Sequence, residues 1–345
     1  MDHEVYEQLK AAREPLLLWY DTNQRELPWR GNVSPYETWI SEIMLQQTRV
    51  EAVKEYYRRF LERFPDIPTL AAADRDEVYC LWQGLGYYRR ADMLHKAAKI
   101  VTEQYGGVLP GDHRSLLSLP GIGRYTAGAI ASIGFGLPYP AVDGNVLRVI
   151  MRLLGRRDDI AEERLKTTVE QWLKEIYPRD RAGDFTQALM ELGAIVCVPN
   201  GAPLCEECPW RKLCCCNAEG NWQEIPVKSG KKSRKIEEKT VFLLRYDNAV
   251  ALHRRDREGL LANLWEFPNA LGHWTEQEVI EHFPGAKIKK VGKAKHVFTH
   301  IEWHMIGYEI WFRQKKKPLD LIWVEKTDLE QYAIPAAFKA FKKAL

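Results

Sequence analysis

The sequence predicts two folded parts: a mostly α-helical part over residues 1–216 and an α+β domain over residues 240–345. Apolar residues recur at helical spacing through most of the first 196 residues. Residues 217–239 contain Gly, Pro, Ser and a basic run from Lys228 to Lys235, which is typical of a flexible linker. Short β-like segments separated by turns follow. A chain of 345 residues is long enough to give each part its own core.

Charge and hydropathy narrow the classes of function. The formal net charge of +3 permits nucleic acid as a partner without requiring it. Residues 1–4 are charged and lack the apolar stretch of a signal peptide, and no apolar run approaches the length of a membrane span. We therefore expect a cytoplasmic protein with no membrane partner.

A polar loop over residues 21–32 joins a helix predicted over residues 4–20 to a second helix. Trp29 stands between arginines in this loop, where an exposed Trp could stack on a base. Composition alone favours the alternative, in which Trp29 packs at the edge of a core. Ser34 and Glu37 form a capping box that opens the second helix.

Glu42 lies on the second helix, with Trp39 and Gln46 at helical spacing from it. Aromatic neighbours remove water from a carboxylate and raise its pKa, which suits a general acid. A solvated surface Glu is the alternative, and for an isolated helical Glu it is the more common state.

The next helices are interrupted by a turn that is rich in aromatic and basic residues. Thr48 and Glu51 predict a second capping box, and further helices are predicted over 49–64, 74–83, 161–177 and 183–196. Glycines at 84 and 86 break the helical pattern before Tyr87, Tyr88 and two arginines, and the helix that follows ends at Tyr105. Aromatic side chains beside guanidinium groups suit a wedge that enters stacked DNA bases.

The stretch from Leu119 to Gly128 predicts a helix, a glycine turn and a second helix that continues to Phe135. Pro120 stops the first helix, and Gly121 and Gly123 allow positive φ and leave no side chain over the turn. Backbone N–H groups at such a turn can bind a DNA phosphate, although an ordinary helical hairpin explains the glycines equally well. Asp143 stands just before a helix over 145–154, a position that favours an N-cap.

Six of the 7 cysteines lie between Cys197 and Cys216, in a C-x7-C-x2-C-x5-C pattern. Four thiolates in one short loop can hold a [4Fe–4S] cluster or a zinc ion. Zinc sites usually have two C-x-x-C pairs and this loop has one, which favours the cluster. Cys80, on a predicted helix, is expected in a core.

In the α+β domain, β-pairing is predicted between residues 240–246 and 249–253, followed by a helix over 275–283 and strands within 287–312 and 321–324. A closing helix is predicted within 327–345. Histidines at 296, 300 and 304 would each stand about 13 Å from the next on one strand, which is too far for one metal ion.

Taken together, the 119–128 hairpin, Asp143, the cysteine loop and the second domain resemble the MutY-type adenine DNA glycosylases over nearly the whole chain. The resemblance implies a six-helix barrel with a helix-hairpin-helix and an iron–sulfur domain, joined to a MutT-like Nudix domain. It implies a monomeric enzyme of the nucleoid with a [4Fe–4S] cluster. Such an enzyme flips adenine out of duplex DNA and removes it when it is mispaired with 8-oxoguanine or G.

The resemblance also implies roles for four residues. Glu42 matches the acid that protonates the flipped adenine, and Asp143 matches the carboxylate that stabilises the oxocarbenium-like sugar. Asn145 matches a residue that supports this Asp. Tyr125 stands where bifunctional relatives carry a Lys nucleophile, and a phenol cannot form a Schiff base, so a monofunctional enzyme is expected.

Four further groups of residues follow from the same resemblance. The DNA wedge and hairpin are Gln47, Leu85, Tyr87, Gly121 and Gly123; the lesion-reading loop is Phe298, Thr299 and His300; the adenine pocket is Arg25, Leu27, Trp29, Arg30 and Gln187; the cluster ligands are Cys197, Cys205, Cys208 and Cys214.

The chain departs from the family pattern at three places. One extra residue separates Cys197 from Cys205, and Cys215 and Cys216 are alternative fourth ligands. Thr299 replaces the usual Ser but keeps its hydroxyl, so we expect recognition of 8-oxoguanine to persist. Residues 275–281 lack the Nudix G-x5-E-x7-R-E-x-x-E-E pattern, so we expect a lesion-reading domain without hydrolase chemistry. A glycosylase for another mispair or an oxidised pyrimidine, and a non-catalytic mismatch-binding protein, are the alternatives.

Overall fold

The computed structural model describes residues 2–230, 233–314 and 320–345. Part of the basic run predicted in the linker, residues 231–232, lies outside these ranges. Internal contacts divide the chain into two compact units, Met1–Ala72 with Met93–Gly230, and Ala73–Asp92 with Lys231–Leu345. No helix in the described part of the chain is long and apolar enough to cross a membrane.

The N-terminal sequence is almost entirely helical, as predicted. Its α-helices are α1 (His3–Asn23), α2 (Pro35–Leu45), α3 (Val50–Arg63), α4 (Ile67–Ala72), α5 (Arg75–Trp82), α6 (Arg89–Tyr105), α7 (His113–Ser118), α8 (Arg124–Ala129), α9 (Gly144–Leu154), α10 (Glu163–Ile176), α11 (Ala182–Glu191) and α12 (Cys215–Glu219). Two π-helical turns, Ile130–Gly134 and Leu192–Val196, extend α8 and α11.

Helix starts test the capping predictions. The box at Ser34 and Glu37 forms at α2, with both reciprocal hydrogen bonds present. The second predicted box is wrong, because Arg49 is the N-cap of α3 and makes no side-chain capping bond. Gln47 adopts a positive φ of 57°, and the Thr48 hydroxyl turns back to the Gln46 carbonyl at 3.4 Å.

The core of the first unit holds α9 at its centre. Side chains of α1, α9, α10 and α11 form one apolar cluster, and eight consecutive residues from Val146 to Leu153 are buried. The first N–H groups of a helix have no partners within the helix itself. At α9 the partly buried Asp143 side chain accepts one of them, the Val146 N–H.

The hairpin between α7 and α8 uses its two glycines differently. Gly121 has a φ of +77°, whereas Gly123 has a φ of −87° and serves as the N-cap of α8. The second helix differs from prediction, since it does not run unbroken to Phe135 but changes to the π-helical turn at Ile130. A Cβ at position 121 would lie 2.6 Å from the Met93 Cβ, so both backbone and packing require glycine there.

The second unit is built on a seven-stranded mixed sheet. Its strands are β1 (Lys235–Tyr246), β2 (Ala249–Arg254), β3 (Trp265–Glu266), β4 (Asn269–Leu271), β5 (Lys287–Val297), β6 (Ile301–Trp311) and β7 (Leu321–Glu325), with helices α13 (Glu276–His282) and α14 (Lys339–Lys342). The order is β3-β2-β1-β6-β5, with β4 on β1 and β7 on β2, and only β1 and β6 pair in parallel. Apolar clusters cover both faces.

Two elements of this unit differ from prediction. β1 begins at Lys235, earlier than the predicted start at Thr240, because residues 235–239 pair with the first residues of β6. The predicted closing helix is mostly two 3₁₀ turns, followed by the short α14. Pro335 separates these turns, since it has no N–H to continue a helix.

Residues 73–92 belong to the second unit by their contacts, which the sequence did not indicate. Arg254 forms an ion pair with Asp76 at 2.7 Å. The Cys80 thiol donates to the Gln331 carbonyl at 3.0 Å, and the Gln83 amide donates to the Ile334 carbonyl at 3.3 Å. Cys80 is half-buried rather than in the core, and burial raises its pKa to about 11.

The two hairpin glycines form a matched pair for a stability test. We expect Gly121→Ala to lower the free energy of unfolding by about 1–3 kcal/mol, because Ala is strained at positive φ and would press on Met93. Gly123→Ala should cost less than about 1 kcal/mol, because φ is negative and nothing lies within 4 Å. Urea unfolding of the two variants measures the difference, and equal losses would contradict it.

Candidate active site

Glu42 is buried in the first unit and faces Tyr125. Its side chain lies on α2 with 5 % of its surface exposed, so the solvated alternative is wrong. The Tyr125 hydroxyl donates to Glu42 Oε2 at 2.5 Å. Burial raises the pKa of Glu42 to about 7; the Tyr125 hydrogen bond opposes this shift and the charge of Asp143 adds to it. Near neutral pH, Glu42 can therefore both hold and release a proton.

Asp143 is the N-cap of α9 and is partly buried. One carboxylate oxygen accepts the Val146 backbone N–H at 2.8 Å, and the other accepts the Asn145 amide at 2.8 Å. Burial raises the pKa of Asp143, while these hydrogen bonds and Arg148 lower it. The same carboxylate thus caps a buried helix and stands close enough to Glu42 to affect its ionisation.

A chain of hydrogen bonds leads from Asp143 to the cysteine loop. The side-chain Oδ1 of Asn145 accepts a hydrogen bond from a terminal guanidinium nitrogen of Arg148 at 2.9 Å. Arg148 also donates to the carbonyls of Gly193, at 2.7 Å, and Cys197, at 2.9 Å. Sequence reasoning missed Arg148; the available signal was an arginine on the apolar face of α9, three residues after Asn145.

Tyr125 lies on α8 and is partly buried, and its hydroxyl also lies 3.9 Å from Met190 Sδ. Burial and the two nearby carboxylates hold its pKa well above the ordinary value for tyrosine. The phenol is therefore neutral at neutral pH and is a hydrogen-bond donor to Glu42, not a charged nucleophile. The adjacent Thr126 hydroxyl accepts a hydrogen bond from Gln46 at 3.3 Å and so connects α2 to α8.

The loop before α2 is fixed by a carboxylate that sequence reasoning missed. Arg25 and Arg30 both donate to Glu191, with distances of 2.7 and 2.6 Å to Oε2. Burial favours a raised pKa for Glu191, but the two arginines outweigh it and lower the pKa to about 2. Trp29 is buried, with its ring 5.5 Å from the Tyr57 ring, as expected for packing at a core edge. Leu27 and Gln187 are partly exposed.

Two residues of the predicted wedge have unusual backbone conformations. Gln47, after α2, has a φ of 57°, and Tyr87, before α6, has a φ of 49°. Non-glycine residues in this region cost of order 1–3 kcal/mol and are found at functional sites. Tyr87 is 48 % exposed and lies 5.5 Å from the Arg90 guanidinium, whereas Leu85 is buried.

The cysteine loop surrounds an open cavity with about 350 Å³ of empty space. The four predicted ligands Cys197, Cys205, Cys208 and Cys214 line it together with Cys216. Cys215 is not among the lining residues, and its Sγ lies 3.5 Å from the Gln8 amide. Arg152 donates to Cys197 Sγ at 3.3 Å. Burial raises the pKa values of Cys208 and Cys214 to about 12 and 11.

In the second unit, residues 298–300 form the turn between β5 and β6. The Phe298 N–H donates to the Ile301 carbonyl at 2.8 Å, and Thr299 and His300 are exposed at the tip. The assumption of one strand through His296 and His304 is wrong, because the chain reverses at this turn. Within the described residues, no group of three or more His, Cys, Asp or Glu is arranged to hold a single metal ion.

Hydrogen bonds join Glu42 to Tyr125 and Asp143 to Asn145, and the two pairs are close enough for the charge of Asp143 to raise the pKa of Glu42. Gln47 lies one residue beyond the C-cap of α2, and Gly121 and Gly123 precede α8, so both segments adjoin the elements that carry these residues. Leu85, Tyr87 and the turn at 298–300 belong to the other compact unit.

Comparisons with known proteins agree with this architecture. Residues 40–175 match the HhH-GPD superfamily base excision DNA repair protein model, and residues 240–344 match the NUDIX domain model. The first match contains Glu42 and Asp143, and the second contains the sheet from residue 240 of β1 onward.

Two similar proteins are both described as adenine DNA glycosylases. An adenine DNA glycosylase of Buchnera aphidicola subsp. Schizaphis graminum is 36 % identical over 84 % of this chain and 85 % of its own length. The adenine DNA glycosylase of Homo sapiens is 34 % identical over 86 % of this chain and 66 % of its own length.

A thermostable thymine-DNA glycosylase structure superposes with a TM-score of 0.57 at 29 % identity, covering 62 % of this chain and 98 % of that chain. An endonuclease III–DNA complex gives 0.53 at 26 % identity, covering 62 % and 97 %.

The raised pKa of Glu42 predicts a stability cost that depends on pH. A carboxyl with a folded-state pKa near 7 favours folding at low pH, and this contribution is lost as pH rises through about 7. We expect Glu42→Gln to stabilise the protein at pH 8 by up to about 3 kcal/mol and to have little such effect at pH 4. Thermal unfolding at both pH values measures this.

Glu55→Gln is the matched control, because Glu55 is exposed and its hydrogen bond from Arg58 lowers its pKa. This variant should show no gain at pH 8. A gain from Glu42→Gln that is equal at pH 4 and pH 8 would mean that Glu42 is not the titrating group.

Proposed function

This chain belongs to the MutY-type adenine DNA glycosylases, enzymes of base excision repair, and on that premise we propose that it removes adenine mispaired with 8-oxoguanine, and more weakly with G, from duplex DNA. The observation that carries the proposal is the hydrogen bond from Tyr125 to the buried Glu42. Burial and the nearby charge of Asp143 raise the pKa of Glu42 to about 7. A general acid works best when its pKa lies near the operating pH.

Glu42 is proposed to protonate the flipped adenine. Cleavage of an N-glycosidic bond leaves negative charge on the departing base, so a proton delivered to a ring nitrogen makes the base a better leaving group. Burial supplies the protonated carboxyl at neutral pH, and the hydrogen bond from Tyr125 fixes its orientation. Enclosure also keeps bulk water from competing for that proton.

Asp143 is proposed to stabilise the positive charge that develops on the sugar as the base leaves. Its two oxygens are held by Val146 and Asn145, so the carboxylate is oriented before substrate arrives. Arg148 holds Asn145 in turn. A water molecule then adds to the sugar and leaves an abasic site, with Asp143 positioned to accept the proton of that water.

The enzyme is proposed to be monofunctional. A lyase needs an amine that forms a Schiff base with the opened sugar. Tyr125 presents a phenol at the family position of that amine and is engaged with Glu42. The product is therefore an intact strand that carries an abasic site.

Lesion recognition is assigned to the turn at residues 298–300. Thr299 and His300 are exposed polar groups on a rigid hairpin, a suitable support for reading a base edge. The helix α13 has the acidic residues Glu276, Glu278 and Glu281 but not the Nudix pattern, and Glu278 is occupied in a capping box at Thr275. This occupation supports a reading role for the domain in place of hydrolysis.

The cysteine loop suits a [4Fe–4S] cluster better than zinc. In a cluster each thiolate binds a different iron, so the sulfur atoms stand farther apart than around one ion. Four cysteines around an open cavity, with no single-ion arrangement among the described residues, fit the larger group. The ligands would be Cys197, Cys205, Cys208 and Cys214. When bound, a cluster cross-links the loop and provides a redox-active centre.

The first test is single-turnover cleavage of a labelled duplex with A opposite 8-oxoguanine, split into halves with and without alkali. We expect breaks only after alkali, and Glu42→Gln should slow them at least about 100-fold. The wild-type rate should fall as pH rises through about 7, because Glu42 loses its proton.

Each other outcome has a clear meaning. Breaks without alkali would contradict the monofunctional assignment. An active Glu42→Gln variant would remove Glu42 from its role. Cleavage of T opposite G, with A opposite 8-oxoguanine left intact, would favour the activity named for the structural relative. Tight binding without excision of any mispair would indicate a binding protein.

Adjacent cysteines allow a matched test of the cluster. Cys214 lines the cavity and Cys215 does not. We expect Cys214→Ser to reduce bound iron and visible absorption, and Cys215→Ser to leave both unchanged. Iron analysis of the purified proteins provides the measurement. One bound zinc and no iron in the wild type would contradict the cluster, and full iron in Cys214→Ser would point to Cys216 as the fourth ligand.

A further inference from the structure

The turn at residues 298–300 is held by a segment outside its own hairpin. The Arg234 Nε–H donates to the Phe298 carbonyl at 3.1 Å. The backbone N–H of the next residue, Lys235, donates to the His300 carbonyl at 3.1 Å. The carbonyls on both sides of Thr299 are therefore fixed by two consecutive residues at the point where the chain enters β1.

The base of the turn is rigid for a separate reason. The Phe298 ring packs against the rings of His296, at 4.6 Å, and Trp303, at 4.8 Å. Trp303 is buried, and its indole N–H donates to Glu237 at 3.1 Å. Because the base is fixed by packing, contacts of the exposed tip decide where Thr299 and His300 point.

The terminal guanidinium nitrogens of Arg234 are not used in its hydrogen bond to the turn. Its side chain is exposed, and its hydrogen bond to the turn uses Nε alone. Among the residues that the structure describes, no carboxylate forms an ion pair with Arg234. The two terminal guanidinium nitrogens form a second edge of a planar donor group, and this geometry matches a phosphate.

We propose that Arg234 is a positioning residue for lesion reading that also binds a phosphate of the strand carrying 8-oxoguanine. Its Nε orders the turn, and its free edge takes the phosphate, so contact with the backbone and presentation of Thr299 and His300 are coupled through one side chain. The proposal rests on the function proposed above, since it assumes that this turn reads the lesion.

Two variants separate the two roles. Arg234→Lys keeps the charge but loses the planar group that serves both partners, and Arg234→Gln removes the charge as well. Arg313→Gln is the matched control, an exposed arginine beyond the far end of β6 and roughly 30 Å from the turn along the strand. Because both arginine side chains are exposed, the unfolding midpoints of all three variants should match the wild type, which checks that folding is intact.

The first readout is the ratio of single-turnover rate constants for A opposite 8-oxoguanine and A opposite G. We expect both Arg234 variants to lower this ratio about tenfold, the effect of losing one hydrogen bond from a charged group. The second readout is the salt dependence of affinity for the 8-oxoguanine duplex, measured in a Glu42→Gln background so that the base stays in place. Arg234→Gln should reduce the slope of log affinity against log salt by about 0.9, and Arg234→Lys should keep it.

The outcomes are distinguishable. A wild-type protein that does not excise A opposite 8-oxoguanine would overturn the proposed function itself. A selective wild type with an unchanged ratio in Arg234→Lys would overturn the positioning role. An unchanged salt slope in Arg234→Gln, or an equal loss of slope in Arg313→Gln, would overturn the phosphate contact. If Arg234 had a purely structural role, the slope of log affinity against log salt would be the same in Arg234→Gln as in the wild type.

Discussion

The capping of α9 by Asp143 is the interaction on which the candidate site depends. Residues Val146 to Leu153 of this helix are buried, while its first residue, Gly144, is exposed, and its first N–H groups have no partners within the helix. Asp143 accepts one of these N–H groups, from Val146, and is held partly buried where its charge affects the ionisation of Glu42. The fold therefore places a capping carboxylate at the position where the proposed chemistry needs one, and helix packing determines the geometry of the site.

The charge of Asp143 raises the pKa of Glu42, and the two carboxylates have different hydrogen-bond partners. Asp143 receives an amide, a backbone N–H and the nearby positive charge of Arg148, all of which favour its charged form. Glu42 receives one phenol, and its pKa is about 7. This asymmetry fits the proposed roles, in which Glu42 carries the proton and Asp143 the negative charge.

Local signals predicted most of the fold because the features they describe are local. The capping box at Ser34, the turn at Gly121 and the cap at Asp143 depend on residues within a few positions of each other. Glu191 could not be predicted, since its partners Arg25 and Arg30 lie more than 160 residues away. The grouping of residues 73–92 with the second unit and the orientation of Cys215 are likewise products of tertiary packing.

The same distinction applies to recognition in the second unit. The sequence predicts the residues of the 298–300 turn through a family motif, but the motif does not include the residues that hydrogen-bond to the turn, Arg234 and Lys235. The bonds from Arg234 and Lys235 exist because β1 pairs in parallel with β6 and so brings the end of the linker beside the turn. A short linker segment thereby becomes part of a candidate reading site, and its side chains are subject to the same geometric demands as the turn. The proposed lesion recognition accordingly depends on the strand pairing as much as on the three residues at the tip.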